Sequence, residues 1–114
     1  MPRQRIAKPA EAKGSAALFA AMGDETRLWL VSRLCRDGPA SISALTSGAK
    51  MTRQAITKHL RVMEHANLVH CQRRGRESLW QLDQRRIDDA RRYLELISQQ
   101  WDTALARLQR LVEE

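Results

Sequence analysis

TRQAITKHLRVMEHANLV, Thr52–Val69, is the stretch whose reading decides the fold. Thr52 is a good N-cap, and Ile56, Leu60 and Met63 recur at helical spacing behind it, which predicts a helix running to about Ala66 with one buried stripe. Arg53, Gln54, Thr57, Lys58 and Arg61 fall on the other side, all of them donors able to reach a base edge or a phosphate. Such a face is most often a solvated surface, and solvated surfaces interleave both signs of charge. Arg53–Met63 contains no carboxylate, so the face points to a polyanionic partner instead.

Downstream, Leu68–Gln72 and Glu77–Leu82 read as two short strands around Arg73, Arg74, Gly75 and Arg76. This predicts a β-hairpin, a basic wing beside the helix, anchored at its base by Leu79 or Trp80. Upstream, Ser41 caps a short helix with Ile42 and Leu45 facing inward, and Gly48 supplies the turn into Thr52. Before it, Asp24 caps a helix in which Leu28, Val31, Leu34 and Cys35 form the apolar face, stopped by Asp37, Gly38 and Pro39. Ser15 caps a first helix, Ala16–Met22, ended by Gly23. Residues 1–14 mix prolines, glycine, alanines and basic side chains without a period and are expected to form a flexible basic arm, leaving 15–114 as one domain. Two helices joined by a short Gly-containing turn, the second cationic on its outer face and followed by a basic hairpin, make a winged helix-turn-helix, mainly α.

The C-terminal segment carries the most regular pattern: Ile87, Ala90, Leu94, Ile97, Trp101, Ala104, Leu108 and Leu111, spaced three and four in alternation. That is a heptad seam. A helix bearing such a seam ordinarily packs inside its own monomer. This one is too long for one small domain to cover, so a partner helix is expected, and a second copy of the chain is the simplest source.

Charge agrees with this arrangement. The 114 residues carry 20 Lys and Arg against 13 Asp and Glu, a formal net charge of +7. Lys50–Arg86 supplies most of it, with Lys50, Arg53, Lys58, Arg61, Arg73, Arg74, Arg76, Arg85 and Arg86 against Glu64, Glu77 and Asp83. No apolar run approaches the roughly 20 residues that span a bilayer, and the N-terminus lacks a signal-peptide core, so a cytoplasmic protein is expected. Cys35 and Cys71 are too few for a disulfide scaffold and read as structural thiols, Cys35 buried and Cys71 at the wing. No phosphate loop, nucleophile elbow or paired carboxylates suggest an enzyme.

The stretches GDETRLWLVSRL (Gly23–Leu34), TRQAITKHLRVMEHANLV (Thr52–Val69) and RRGRESLWQL (Arg73–Leu82) resemble the ArsR family of bacterial repressors. The resemblance implies a sequence-specific transcriptional regulator that binds double-stranded DNA as a homodimer, with Arg53, Gln54, Thr57 and Lys58 in the major groove. It implies that His59 lies at the groove edge near phosphate and that Arg73, Arg74 and Arg76 meet the flanking backbone or minor groove. It also implies a dimer through the first and last helices, with Leu18 and Phe19 joining Leu94, Ile97, Trp101, Ala104, Leu108 and Leu111.

Two departures matter. Where metal-sensing members carry a cysteine pair, this chain has Ser41–Leu45, and Ile87–Glu114 contains no histidine. Asp88, Asp89 and Glu95 alone suit zinc or nickel poorly, and His59, His65 and His70 do not share a face, so neither metal nor cofactor is expected. A nonspecific DNA binder, or a dimeric interaction module without DNA binding, remains the alternative that duplex binding separates.

Overall fold

The computed structural model describes the backbone of residues 9–113 and the side chains from Gly14 onward. In chain order the elements are α1 (Pro9–Met22), α2 (Glu25–Asp37), α3 (Ile42–Thr46), α4 (Arg53–His65), β1 (Val69–Arg74), β2 (Glu77–Leu82) and α5 (Gln84–Glu113). Short polar side chains start four of the helices. Asp24 accepts from the Arg27 N–H at 3.0 Å, Ser41 from Ala44 at 3.1 Å, Thr52 from Ala55 at 3.1 Å and Asp83 from Arg86 at 3.1 Å.

The first helix departs from expectation. It starts at Pro9, not after Ser15, so residues 9–14 of the expected arm are helical. Proline is suited to a first turn, and Ala10, Ala12, Ala16 and Ala17 are strong helix formers that carry the helix through Gly14 and Ser15. The rest of the expected arm, residues 1–8, lies outside the described residues.

The end of α4 shows how the chain turns toward the hairpin. Asn67 takes a left-handed φ of 60°, its N–H donates to Glu64 O at 2.9 Å and the Leu68 N–H donates to Met63 O at 2.9 Å. This is a Schellman turn with asparagine at the position usually held by glycine. Leu68 therefore belongs to the turn, buried, and the strand begins at Val69.

β1 and β2 pair antiparallel from Val69↔Leu82 to Arg74↔Glu77, leaving Gly75 and Arg76 as a two-residue turn. Only Gly75, at φ 62°, is left-handed, the pattern of a type II′ hairpin. The other edge of β2 meets the α2–α3 connection: Ala40 N–H donates to Trp80 O at 2.9 Å and Trp80 N–H donates to Ala40 O at 2.8 Å. Sequence patterning gives no sign of that bridge, because Gly38–Pro39 reads only as a helix stop.

Leu18, Leu30, Val31, Leu34, Leu45, Ile56, Leu60, Met63, Leu68, Val69, Trp80 and Ala90 form one core. Three expectations are corrected by it. Leu18 is fully enclosed in its own monomer, so it has no surface to offer a partner. Leu28 is 54% exposed and Leu30 takes its place inside, because the inward stripe of α2 is turned by one residue toward α1 and α4. Cys35 is exposed, as is Cys71.

The seam on α5 divides in two. Ile87 and Ala90 pack on the core, and Tyr93 meets Phe19 of α1 with ring centroids 6.0 Å apart. Beyond Tyr93, Leu94, Trp101, Leu108 and Leu111 are exposed, Trp101 by 64%, while Ile97 of the expected seam is half-buried. Leu105 and Val112, outside the expected seam, are exposed beside them and widen the stripe.

Trp80→Ala removes the largest buried side chain and should cost about 3–5 kcal/mol, read as a lowered denaturant midpoint. A shift below about 1 kcal/mol would show that the wing base closes without it.

Candidate nucleic-acid interface

The outer face of α4 is free because its inner face is committed. Ile56, Leu60 and Met63 are buried, which turns Arg53, Gln54 and Lys58 to solvent, where their side chains make no hydrogen bond or ion pair with the described residues. Unpartnered cationic and amide donors along one helix side can accept an anionic or base-edge ligand without first breaking a contact.

The other expected members of this face are less free. The Thr57 hydroxyl donates to Arg53 O at 2.7 Å, leaving its oxygen as an acceptor. Arg61 pairs with Glu64 at 2.8 Å, and its guanidinium carbon lies 5.2 Å from the Trp80 ring centroid, so it links α4 to the wing base. His59 is half-buried, with Nδ1 3.7 Å from the Asp24 carboxylate at the start of α2. The Arg27 N–H is the chief reason that Asp24 ionises below the usual carboxylate range, and the His59 charge adds to it.

At the wing, strand alternation separates the arginines. Arg73 shares a sheet face with Cys71 and Trp80, Arg74 lies on the opposite face with Gln72 and Leu79, and Arg76 sits in the turn. All three are exposed, and Arg73 Nε donates to Gly75 O at 3.4 Å. The tip therefore presents positive charge on both sides of the hairpin.

One constellation escaped the sequence pattern. Asp83 uses one carboxylate oxygen to cap α5 through the Arg86 N–H and the other to bind His70 Nε2 on β1. The His70 contact first, and the cap second, hold its carboxyl below the usual range. Aspartate just ahead of Gln84-Arg85-Arg86 signals a cap, but nothing in the sequence pairs it with a residue 13 positions earlier.

Among the described residues, no three His, Cys, Asp or Glu side chains gather as a metal-binding group. No described helix is long and apolar enough to cross a membrane.

Residues 22–72 match the family described as a helix-turn-helix domain. An HTH-type transcriptional regulator of Bacillus subtilis, YuzN, is 38% identical over 66 residues, which cover 53% of this chain and 72% of that protein. The arsenical resistance operon repressor of Bacillus subtilis is 27% identical over 70 residues, 61% of this chain and 67% of it. Among solved structures, an ArsR-like transcriptional regulator from Rhodococcus sp. RHA1 superposes with a TM-score of 0.73 at 32% identity, over 90% of this chain and 95% of that one.

Depressed carboxyls at Asp24 and Asp83 stabilise the folded state fully above about pH 4, and that stability is lost as pH falls through their lowered folded-state values. Asp83→Asn, which keeps a capping side chain but loses the charge, should be less stable than the parent at pH 7 and should converge with it toward pH 2. Parallel stability curves across that range would show that the carboxylate is not the stabilising form.

Proposed function

The chain belongs to the ArsR family of winged helix-turn-helix transcriptional regulators, and on that premise we propose that it is a homodimeric repressor of a pseudo-palindromic operator. The family is one of DNA-binding regulators and not a class of enzymes. The observation that carries the reading is the outer face of α4, where Arg53, Gln54 and Lys58 have no hydrogen-bond or ion-pair partner among the described residues, beside a wing tipped by Arg73, Arg74 and Arg76. Repression fits the similarity to the arsenical resistance operon repressor of Bacillus subtilis.

In this mechanism α4 of each protomer enters one of two successive major grooves, about 34 Å apart on one side of the duplex. Arg53 and Gln54 read base edges, Thr57 offers an acceptor, and Lys58 with the wing arginines neutralises phosphate and sets the register. The dimer forms through Phe19 on α1 and through Leu94, Ile97, Trp101, Ala104, Leu108 and Leu111 on α5, with Leu105 and Val112 joining them. Water-exposed leucines in such numbers favour association, at about 25 cal/mol per Å² of apolar surface buried. A bound dimer overlapping a promoter blocks polymerase. The missing cysteine pair on α3 and the missing histidine on α5 point to release from DNA by something other than a metal ion.

The deciding experiment measures binding to the DNA upstream of the protein's own gene against a scrambled duplex, in raised salt, with and without zinc. Preference for the upstream DNA, unchanged by zinc, is expected. Equal, salt-labile binding to both would reduce the function to nonspecific binding, and release by zinc would overturn the metal-independent mechanism. Gln54→Ala should cut the preference by about tenfold and leave scrambled-duplex affinity within about twofold, whereas Lys58→Ala should weaken both and lower the salt slope by about one. Leu108→Asp should give a monomer in sedimentation and weaken upstream-DNA binding by about a hundredfold; a dimer that persists would place the subunit contact elsewhere.

A further inference from the structure

Arg33, on α2, does its work on α3. Its Nη2 donates to Ala44 O at 2.6 Å, and its Nη1 donates to Ser47 O at 2.9 Å and lies 3.5 Å from Leu45 O. α3 is five residues long and cannot hold itself, since a helix that short completes hardly any internal hydrogen bonds. The other carbonyls nearby are met locally: Ile42 O by the Thr46 hydroxyl at 2.7 Å, Ser43 O by the Ser47 N–H at 3.1 Å and Thr46 O by the Ala49 N–H at 3.0 Å. Ala44, Leu45 and Ser47 are left to the guanidinium, whose planar fork and full charge suit the negative end of a helix. The Arg33 side chain is itself braced by Asp37 at 3.5 Å and lies 5.7 Å from the Trp29 ring centroid.

We propose that Arg33 is a positioning residue for DNA recognition: by holding the C-terminal carbonyls of α3 it fixes the turn that aims α4 at the duplex. This rests on the operator-binding reading above. The segment it holds leads straight into Gly48, left-handed at φ 94°, and then the Thr52 cap. With those carbonyls released, α3 frays and the start of the turn loses its tie to α2, while the Thr26 hydroxyl, 3.4 Å from Met51 Sδ, still holds its far end. α4 itself keeps its cap and its buried stripe. Its donors stay charged but lose their fixed aim, so base discrimination falls and phosphate attraction remains.

The test uses full-length Arg33→Met, which keeps the aliphatic stem, beside Arg36→Met as a control. Arg36 sits on the same helix and, among the described residues, pairs with Asp37 alone. In DNA-free protein, amide hydrogen exchange at Leu45, Ser47 and Ala49 should accelerate at least tenfold in Arg33→Met relative to amides at Leu60 and Trp80, and not in the control. On DNA, Arg33→Met should lose at least about tenfold of the preference for upstream over scrambled duplex with an unchanged salt slope. The proposal is overturned if the three amides exchange no faster than the rest, or if they do and the preference is intact. It is equally overturned by a salt slope reduced by about one, which would make Arg33 a phosphate contact. If the parent protein prefers neither duplex, the repressor reading fails, and the exchange rates alone decide whether Arg33 holds the turn.

Discussion

Trp80 is the residue on which four parts of the structure close. Its backbone N–H and C=O both bond Ala40, which ties the wing to the connection between α2 and α3. Because those groups turn away from β1, Trp80 and Cys71 form a non-hydrogen-bonded pair, with side chains drawn close across the hairpin. The ring lies in the core, and the Arg61 guanidinium of α4 rests near it. A two-stranded hairpin is marginal in water on its own. Here the bridge and the buried indole give it the packed face it lacks, and the wing keeps a fixed relation to α4.

A second constraint comes from α5. At about 1.5 Å per residue its 30 residues extend roughly 45 Å, well beyond a helical core of this size. Its first turns pack on the core of the monomer through Ile87, Ala90 and Tyr93. Asp83 joins this end of the helix to the wing, since one carboxylate holds both the first turn of α5 and His70 of β1. The element that carries the exposed apolar stripe and the hairpin that carries the basic tip are thus linked by one side chain.

Local signals made most of the fold legible. Asp24, Ser41 and Thr52 announce their helices because capping is chemistry between neighbours, and the stripe Ile56, Leu60 and Met63 is buried as its spacing requires. The misses share a cause. Whether Leu28 or Leu30 faces inward, and whether Cys35 is enclosed, depends on the roll of α2 against its neighbours, which spacing constrains only within about one residue. The Ala40–Trp80 bridge and the His70–Asp83 contact join residues far apart in sequence by backbone and charge, and neither leaves a periodic trace. Leu18 was legible as apolar but not as belonging wholly to its own core.

The arginines show why a charge count cannot stand in for a site. Arg33, Arg53 and Arg61 are chemically identical, and what separates them is whether an acceptor lies within reach. Arg33 finds three backbone carbonyls that α3 cannot satisfy, Arg61 finds Glu64 and an indole, and Arg53 finds nothing among the described residues. A guanidinium already holding acceptors must surrender them before it can bind phosphate, whereas an unpartnered one gives up only water. Under the proposed function the recognition face is therefore narrower than the basic stripe in the sequence: it consists of the cations left without partners among the described residues.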